Sequence, residues 1–172
     1  MKNYAKVIMY VYPLLGTVEK DYEEHIRNKA LLSYDNTTTA RRLAEYLAEE
    51  ILCMRKLEWL KGKVEELLNA LSDEERTLVC IRYFGQRKKI KALRGERANG
   101  EKGAFSERSY FRRQARLGQK LGALLEKAGL SEEVYKRELV GVDIVKKIHN
   151  FVEAGKDKHI SADEKRWLTV AE

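Results

Sequence analysis

Three arginines recur at four-residue spacing in the second half of the chain, at Arg108, Arg112 and Arg116. Residues four apart lie on one face of a helix, so the spacing predicts a row of guanidinium groups. Like charges at this spacing destabilise an isolated helix, which favours a negatively charged ligand that neutralises the row. Guanidinium groups bond guanine edges and phosphate oxygens, so double-stranded DNA fits the pattern. The alternative is a basic helix face that contacts only water.

The positive charge of the chain is concentrated around this row. The 172-residue chain has a formal net charge of +7. The window from Arg82 to Lys120 holds thirteen basic and three acidic residues, so it carries +10 and the rest of the chain carries −3. This distribution is typical of a patch that binds a polyanion. We predict ten DNA-binding residues in and near the row: Ser106, Arg108, Ser109, Arg112, Arg113, Arg116, Arg87, Lys88, Lys89 and Lys91.

Other kinds of chemistry have weaker sequence support. His25, His149 and His159 lack metal-ligand spacing with each other and with the cysteines. The motifs of phosphate-binding loops and zinc proteases are missing. Tyr83 and Tyr110 lie among arginines, as the nucleophile of a tyrosine recombinase does, but the sequence offers no accompanying catalytic set. We therefore expect a protein that is not an enzyme, with no catalytic residue, no metal site and no cofactor.

Composition and periodicity predict an all-α fold, a helical bundle with a long central helix. The chain has one proline and few runs of β-branched residues, which favours helix over sheet. A first helical segment is predicted over residues 4–32, broken near Pro13 and Gly16. The long helix is predicted from Thr39 to Leu71, about 50 Å at 1.5 Å per residue. It either packs antiparallel inside the monomer or pairs with a helix of another chain.

Capping signals delimit the helices around the arginine row. Ser72 and Glu75 form a capping box, so a helix begins at Asp73. Ser106 caps the helix that carries the arginines, and Gly129 ends it. The apolar positions of the first of these helices are Leu78, Val79, Ile81 and Phe84. Those of the second are Leu117, Leu121, Leu124, Leu125 and Ala128, with Tyr110 or Phe111 at the head.

These elements divide the chain into three predicted segments. Residues 1–71 hold the N-terminal helices and the long helix, which serve packing or self-association. Residues 72–129 form a unit like a helix-turn-helix, in which the first helix packs through Leu78, Ile81 and Phe84 and the second reads DNA. Residues 130–172 hold a helix from Ser131 to about Phe151, which Gly141 can interrupt, and a short terminal helix after a second capping box at residues 161–164.

The central segment resembles a known family over about residues 70–128. The run from Leu71 to Phe84 looks like the first helix of the sigma-factor region-four type of helix-turn-helix. The string Phe105-Ser-Glu-Arg-Ser-Tyr-Phe-Arg-Arg-Gln114 is similar to the recognition helix of phage and prophage regulators of that type, including the ArpU-like late-gene regulators. The sequence departs from the family at residues 88–104, where a glycine-rich basic stretch replaces a short helix and tight turn. A wing-like loop and a degenerate motif both remain open there.

The resemblance implies sequence-specific binding of double-stranded DNA in transcription. It implies that the side chains in contact with DNA include Ser106, Arg108, Ser109, Arg112 and Arg113. It also implies that Tyr110, Phe111 and Leu117 pack against the supporting helix.

We therefore expect a sequence-specific DNA-binding protein, a transcriptional regulator of phage or prophage type. Two alternatives are a helical protein–protein interaction module that binds no nucleic acid and a phage DNA-packaging component. RNA polymerase and a second copy of the chain remain open as further partners. The longest apolar run, Val7 to Leu15, is too short to span a bilayer and contains Pro13. Cys53 and Cys80 fit free thiols, so a cytoplasmic location is expected.

Overall fold

The computed structural model describes residues 1–32, 39–84 and 107–155, without the side chains of residues 32 and 107–110. Every regular element in these ranges is helical, which confirms the predicted all-α fold. The predicted terminal helix and its capping box at residues 161–164 lie outside the described residues, as does Gly85.

The N-terminal segment changes from α-helix to a 3-10 turn at the single proline. Helix α1 spans Asn3–Val11, a 3-10 turn spans Tyr12–Leu14, and α2 spans Leu15–Leu32. Pro13 lacks a backbone N–H, so it fits the start of a new helical turn better than the interior of a helix. The predicted break therefore lies at Pro13, and Gly16 belongs to α2.

Helix α3 spans Ala40–Asn69 and confirms the long helix predicted from Thr39 to Leu71. Only its second half enters the core, through Leu57, Leu60, Val64, Leu67 and Leu68. Its first half packs against α2 in an antiparallel arrangement, and Cys53 also packs against the main core. Lys61 Nζ lies 2.6 Å from Glu19 Oε2. Further along α2, His25 Nδ1 lies 3.1 Å from Glu50 Oε2 on α3.

Both helices of the predicted DNA-binding unit are present with the expected boundaries. Helix α4 spans Asp73–Tyr83 and begins at the predicted capping box: the Glu75 amide donates to Ser72 Oγ at 3.3 Å, and the Ser72 amide donates to Glu75 Oε2 at 3.0 Å. Helix α5 spans Glu107–Lys127.

The C-terminal end of α5 is fixed by a left-handed glycine. Gly129 has φ of 83°, a conformation that L side chains rarely adopt. The Leu130 amide donates to Leu125 O at 2.9 Å, and the Gly129 amide donates to Glu126 O at 3.1 Å. These two bonds form a Schellman motif, which confirms the helix end predicted at Gly129.

The segment after α5 forms two pieces. Ser131 caps the short helix α6, Glu132–Val134, which continues as a π-helical turn over Tyr135–Leu139. Helix α7 then spans Asp143–Glu153. The interruption predicted at Gly141 is confirmed.

A single buried cluster joins these elements. Leu15, Leu121 and Leu139 come one from each predicted segment, and all three belong to it. Helix α1 runs through the cluster and is tied at its start to two other helices. Lys2 Nζ lies 3.1 Å from Glu126 Oε1 on α5, and Asn3 Nδ2 donates to Glu153 Oε1 on α7 at 3.0 Å. The N-terminus therefore helps to hold α5 against the core.

A glycine of α5 makes room for the N-terminal residue. A Cβ added at Gly118 would lie 3.3 Å from Met1 Cβ. We expect Gly118→Leu to lower the free energy of unfolding by about 1–3 kcal/mol, because the added side chain overpacks this contact. Gly122, one turn further on, has nothing within 4 Å of such a Cβ. Gly122→Ala should instead stabilise the protein by about 0.5–1 kcal/mol. Urea denaturation checks both, and equal stability of wild type and Gly118→Leu would contradict the contact.

Candidate nucleic-acid interface

Helix α5 has a buried face and a basic face. The buried face consists of Leu117, Leu121 and Leu125, at four-residue spacing. Arg112 and Arg116 are exposed and lie one turn apart on another face. Among residues 1–32, 39–84 and 107–155, neither arginine has an ion-pair partner. Two guanidinium groups are thus presented to solvent from a helix that the core holds in place.

Two neighbouring basic side chains of α5 are instead bound to the first turn of α4. Arg113 Nη1 lies 3.1 Å from Glu74 Oε2. Lys120 Nζ lies 2.7 Å from Glu75 Oε2 and 2.8 Å from Glu75 Oε1. The two acids also lie at the N-terminal end of α4, where negative charge interacts favourably with the helix dipole. These ion pairs link the two helices of the predicted unit.

A third link lies at the other end of α4. Arg82 Nη1 donates to Gln114 Oε1 at 3.5 Å, and the Arg82 guanidinium carbon lies 5.6 Å from the centre of the Tyr83 ring. Gln114 is only 5% exposed and is the first buried residue of α5 among the side chains that the structure describes. Residues 111–113, which directly precede it, are on the surface.

The structure describes three of the ten predicted DNA-binding side chains. Arg112 and Arg116 are exposed and unpaired in the described part of the chain, and Arg113 is exposed but bound to Glu74. Arg108 and Ser109 lie in α5, but their side chains are outside the description. The remaining five lie outside the described residues: Ser106, Arg87, Lys88, Lys89 and Lys91.

One residue that the resemblance assigned to packing is on the surface. Phe111 is 59% exposed, so it does not form a buried head of the apolar stripe, and the side chain of Tyr110, the other residue predicted for that place, lies outside the description. The reason is its position along the helix axis. Phe111 lies seven residues before Gly118 and so shares its face, but among the described side chains of α5 the first buried one is Gln114.

The packing face of α4 also differs from the prediction. The buried residues of this helix are Val79 and Tyr83, whereas Ile81 is only partly buried. Leu78 and Phe84 pack partly against the core. Sequence reasoning missed Tyr83 because it treated the tyrosine as a polar residue among arginines. Its ring is buried, and its hydroxyl donates to Met1 Sδ at 3.6 Å.

The ion pairs between α4 and α5 were missed as well, although their components are visible in the sequence. Three consecutive acids begin α4, and the basic row follows on α5. Such a pairing depends on how two helices cross, which local patterns do not specify. It follows that part of the positive charge of α5 is neutralised within the chain.

The pairing of Glu75 with Lys120 makes a pH-dependent contribution to stability. The hydrogen bond from Lys120, and then that from the Ser72 amide, hold the pKa of Glu75 below its ordinary value of 4.5. A lowered carboxyl pKa stabilises the fold above the ordinary pKa, and this contribution is lost as pH falls through the lower, folded-state value. The Glu75 side chain is partly exposed and its partner Lys120 more so, which keeps the contribution small, roughly 0.5 kcal/mol.

Glu75→Gln tests this contribution. The amide oxygen can still accept from Ser72, but the charge is removed. We expect the variant to be less stable than wild type at pH 7 by roughly 0.5–1 kcal/mol, and the difference to narrow as pH falls below 4.5. Urea denaturation across pH measures it. A difference that stays constant with pH would show that the charge contributes nothing.

Other site types have no counterpart among the described residues. Within these ranges, no group of three or more His, Cys, Asp and Glu side chains is placed to hold a metal ion. In the same part of the chain, every helix is too short or too polar to cross a membrane. No protein-family model, no curated protein and no solved structure matches the chain.

Proposed function

We propose that the protein binds double-stranded DNA through the basic face of α5, as a sequence-specific transcriptional regulator. The observation that carries the proposal is the pair Arg112 and Arg116, exposed, one turn apart and unpaired within the described ranges. The pair lies in the window of the chain that carries a net charge of +10. A duplex supplies phosphates at the density needed to neutralise such a row.

The support of α5 suits it to this role. Its second half is anchored by Leu117, Leu121 and Leu125, and its flank is tied to α4 through Arg113 and Lys120. The backbone of a helix fixed in this way does not have to become ordered on binding, so it presents its side chains in a defined register.

Of the α5 side chains described before Gln114, those of Phe111, Arg112 and Arg113 are exposed, so this part of the helix can approach a duplex. The stretch from Glu107 to Arg116 is about 15 Å long at 1.5 Å per residue. With its side chains an α-helix is about 10–12 Å in diameter, which fits the major groove, about 12 Å wide. Arginine bonds guanine through two parallel contacts, and it bonds phosphates at the groove edge.

Arg113 has a different role in this proposal. Because it is bound to Glu74, its main function is to hold α4 and α5 together. The contacts to DNA then come from Arg112 and Arg116, with Arg108, Ser109, Ser106 and the basic cluster at 87–91 as predicted from the sequence. Phosphate contacts position the protein, and the contacts of α5 to base edges supply sequence preference.

The regulatory part of the proposal depends on the resemblance to region-four helix-turn-helix proteins of phage and prophage type. That resemblance is carried by the serine-capped string at the start of α5. A packaging component would also bind DNA, but without preference for a short motif. A protein–protein module would not bind it at physiological salt.

Equilibrium binding to a labelled duplex tests DNA binding itself. Fluorescence anisotropy of a random-sequence duplex, titrated with protein at increasing salt, should show binding that weakens steeply. Each phosphate contact contributes roughly one unit to the slope of log affinity against log salt. Single-stranded DNA and duplex RNA of the same length serve as controls. Absence of binding at low salt would refute the proposal, and equal binding to all three ligands would reduce it to general polyanion affinity.

A further inference from the structure

A two-helix extension of the fold has almost no core of its own. It consists of residues 18–31 of α2 and 40–56 of α3, which we call the arm. No described side chain of the arm is fully buried, although Leu43, Leu47, Ile51 and Met54 are partly buried between the two helices. Two helices that bury so little are marginally stable in isolation, and most helix stability in proteins comes from packing.

The two helices of the arm are held together by polar contacts as well. Glu50 Oε2 lies 3.1 Å from His25 Nδ1, and the Lys29 ammonium lies 5.5 Å from the centre of the Tyr46 ring. These contacts and the pair of Lys61 with Glu19 define the face of α3 that is turned to α2. The opposite face of α3 is therefore its outer face.

Large apolar side chains lie on that outer face. Leu52 is 57% exposed and Trp59 is 39% exposed. They are seven residues apart and therefore lie on the same face of the helix. Each also lies two residues along α3 from a residue in contact with α2, which corresponds to about 200° around the helix. Ala48 precedes Leu52 by one turn and is also exposed. Exposed aromatic and aliphatic side chains in one row are typical of an interaction surface rather than of a solvated helix.

The charges that flank this row are arranged in a self-complementary way. Glu45 and Glu49 lie on the N-terminal side of Leu52, and Arg55 lies on its C-terminal side. Within the described ranges, neither Glu49 nor Arg55 has an ion-pair partner, and Glu45 is bound only to Arg41 of its own helix at 2.9 Å. We call the positions 45, 48, 49, 52, 55 and 59 the outer row.

We propose that the outer row is the docking surface for a second copy of this chain, with the two α3 helices antiparallel and the two-fold axis midway between Ala48 and Leu52. In a two-fold interface the same patch faces itself in reverse order. Leu52 of one copy then packs on Ala48 of the other. Arg55 meets the acidic positions 45 and 49, and this pairing occurs twice. A parallel arrangement would set Arg55 against Arg55, so the charges favour the antiparallel one.

The residues at the ends of the outer row also fit the antiparallel dimer. Trp59 of one copy reaches the first turns of α3 in the other, where the Arg41 guanidinium can stack on the indole. Two paired arms make four helices side by side, which supplies the layer that the arm lacks in the single chain. This inference does not depend on DNA binding, and its failure would leave the proposed function untouched.

A charge-exchange experiment tests the dimer. Arg55→Glu sets acid against acid in the symmetric dimer, and Glu45→Lys/Glu49→Lys sets base against base. We expect wild type to sediment as a dimer and each variant alone as a monomer with unchanged helical circular dichroism. An equimolar mixture of the two variants should dimerise, because every reversed charge then meets an opposite one. A monomeric wild type, dimeric single variants or a mixture that stays monomeric would each overturn the proposal.

A substitution that changes no charge provides a second, independent test of the dimer. Leu52→Asn changes a side chain that is mostly exposed in the single chain, so the monomer fold should be unaffected. The dimer dissociation constant should rise about tenfold or more, as expected for a central apolar contact. Leu31→Asn is the matched control, since Leu31 is 64% exposed but lies on α2. Equal effects of the two substitutions would contradict the assignment of the outer row.

Discussion

Replacing Arg112 and Arg116 together by alanine is expected to weaken binding to a duplex by about 100-fold. Each arginine that bonds a phosphate or a guanine contributes about 1–3 kcal/mol, and both side chains are exposed on the same face of α5. The slope of log affinity against log salt should fall by about two units if both contact phosphates. Stability should change little, because among the described residues neither side chain has an ion-pair partner. Anisotropy titrations at several salt concentrations measure both quantities.

A control variant that loses the same number of positive charges elsewhere distinguishes a loss of DNA contacts through α5 from a general decrease in positive charge. Lys146→Ala/Lys147→Ala removes the same two charges from exposed positions of α7. We expect it to reduce affinity by severalfold at most, since charges remote from the interface act only through the long-range field, which salt screens. Equal losses for the two double variants would contradict α5 as the contact surface.

The largest loss of stability is expected at Tyr135. This residue is 1% exposed, its ring centre lies 5.8 Å from that of Tyr4 on α1, and its hydroxyl lies 3.0 Å from His149 Nδ1 on α7. Burial raises the pKa of the Tyr135 phenol, which therefore stays protonated across the physiological range. Tyr135→Ala removes a buried aromatic ring between three elements and should cost about 3–5 kcal/mol.

Tyr135→Phe isolates the hydrogen bond from the ring. The ring is kept and only the bond to His149 is lost, so the expected cost is about 1 kcal/mol. Urea denaturation followed by circular dichroism gives both values. If the phenylalanine variant were as destabilised as the alanine variant, the hydroxyl rather than the ring would be the main contribution, contrary to the packing described above.

The helices could be predicted from the sequence because their signals are local. The capping box at Ser72 and Glu75, the glycine at 129 and the proline at 13 each act on the backbone within a few residues. Such signals specify where a helix begins or ends whatever it later packs against. The break near Gly141 was foreseen for the same reason.

Features that depend on how helices cross could not be predicted. The sequence shows that Arg113 is basic, but not that Glu74 lies beside it, since the two are 39 residues apart. For Phe111, the local pattern suggests burial, whereas the structure shows an exposed side chain. Its type and phase fit a core position, and only the extent of the core along α5 places it on the surface. Likewise, periodicity alone could not select Tyr83 over Ile81 as the buried residue of α4.

The same limit applies to the long helix. Its apolar repeat indicates packing along its whole length, yet only the part after residue 56 enters the core. The exposed row at Leu52 and Trp59 became visible only when the face turned toward α2 was known.

Selection of bound duplexes from a random DNA library is the measurement that tests the central claim most directly. Wild type and the Arg112→Ala/Arg116→Ala variant are taken through the same rounds at physiological salt. We predict that wild type enriches a defined motif and that the variant enriches none, or a motif with fewer specified positions, because α5 supplies the contacts to bases. No enrichment by wild type, or the same motif from both proteins, would contradict the assignment of α5 as the helix that reads DNA.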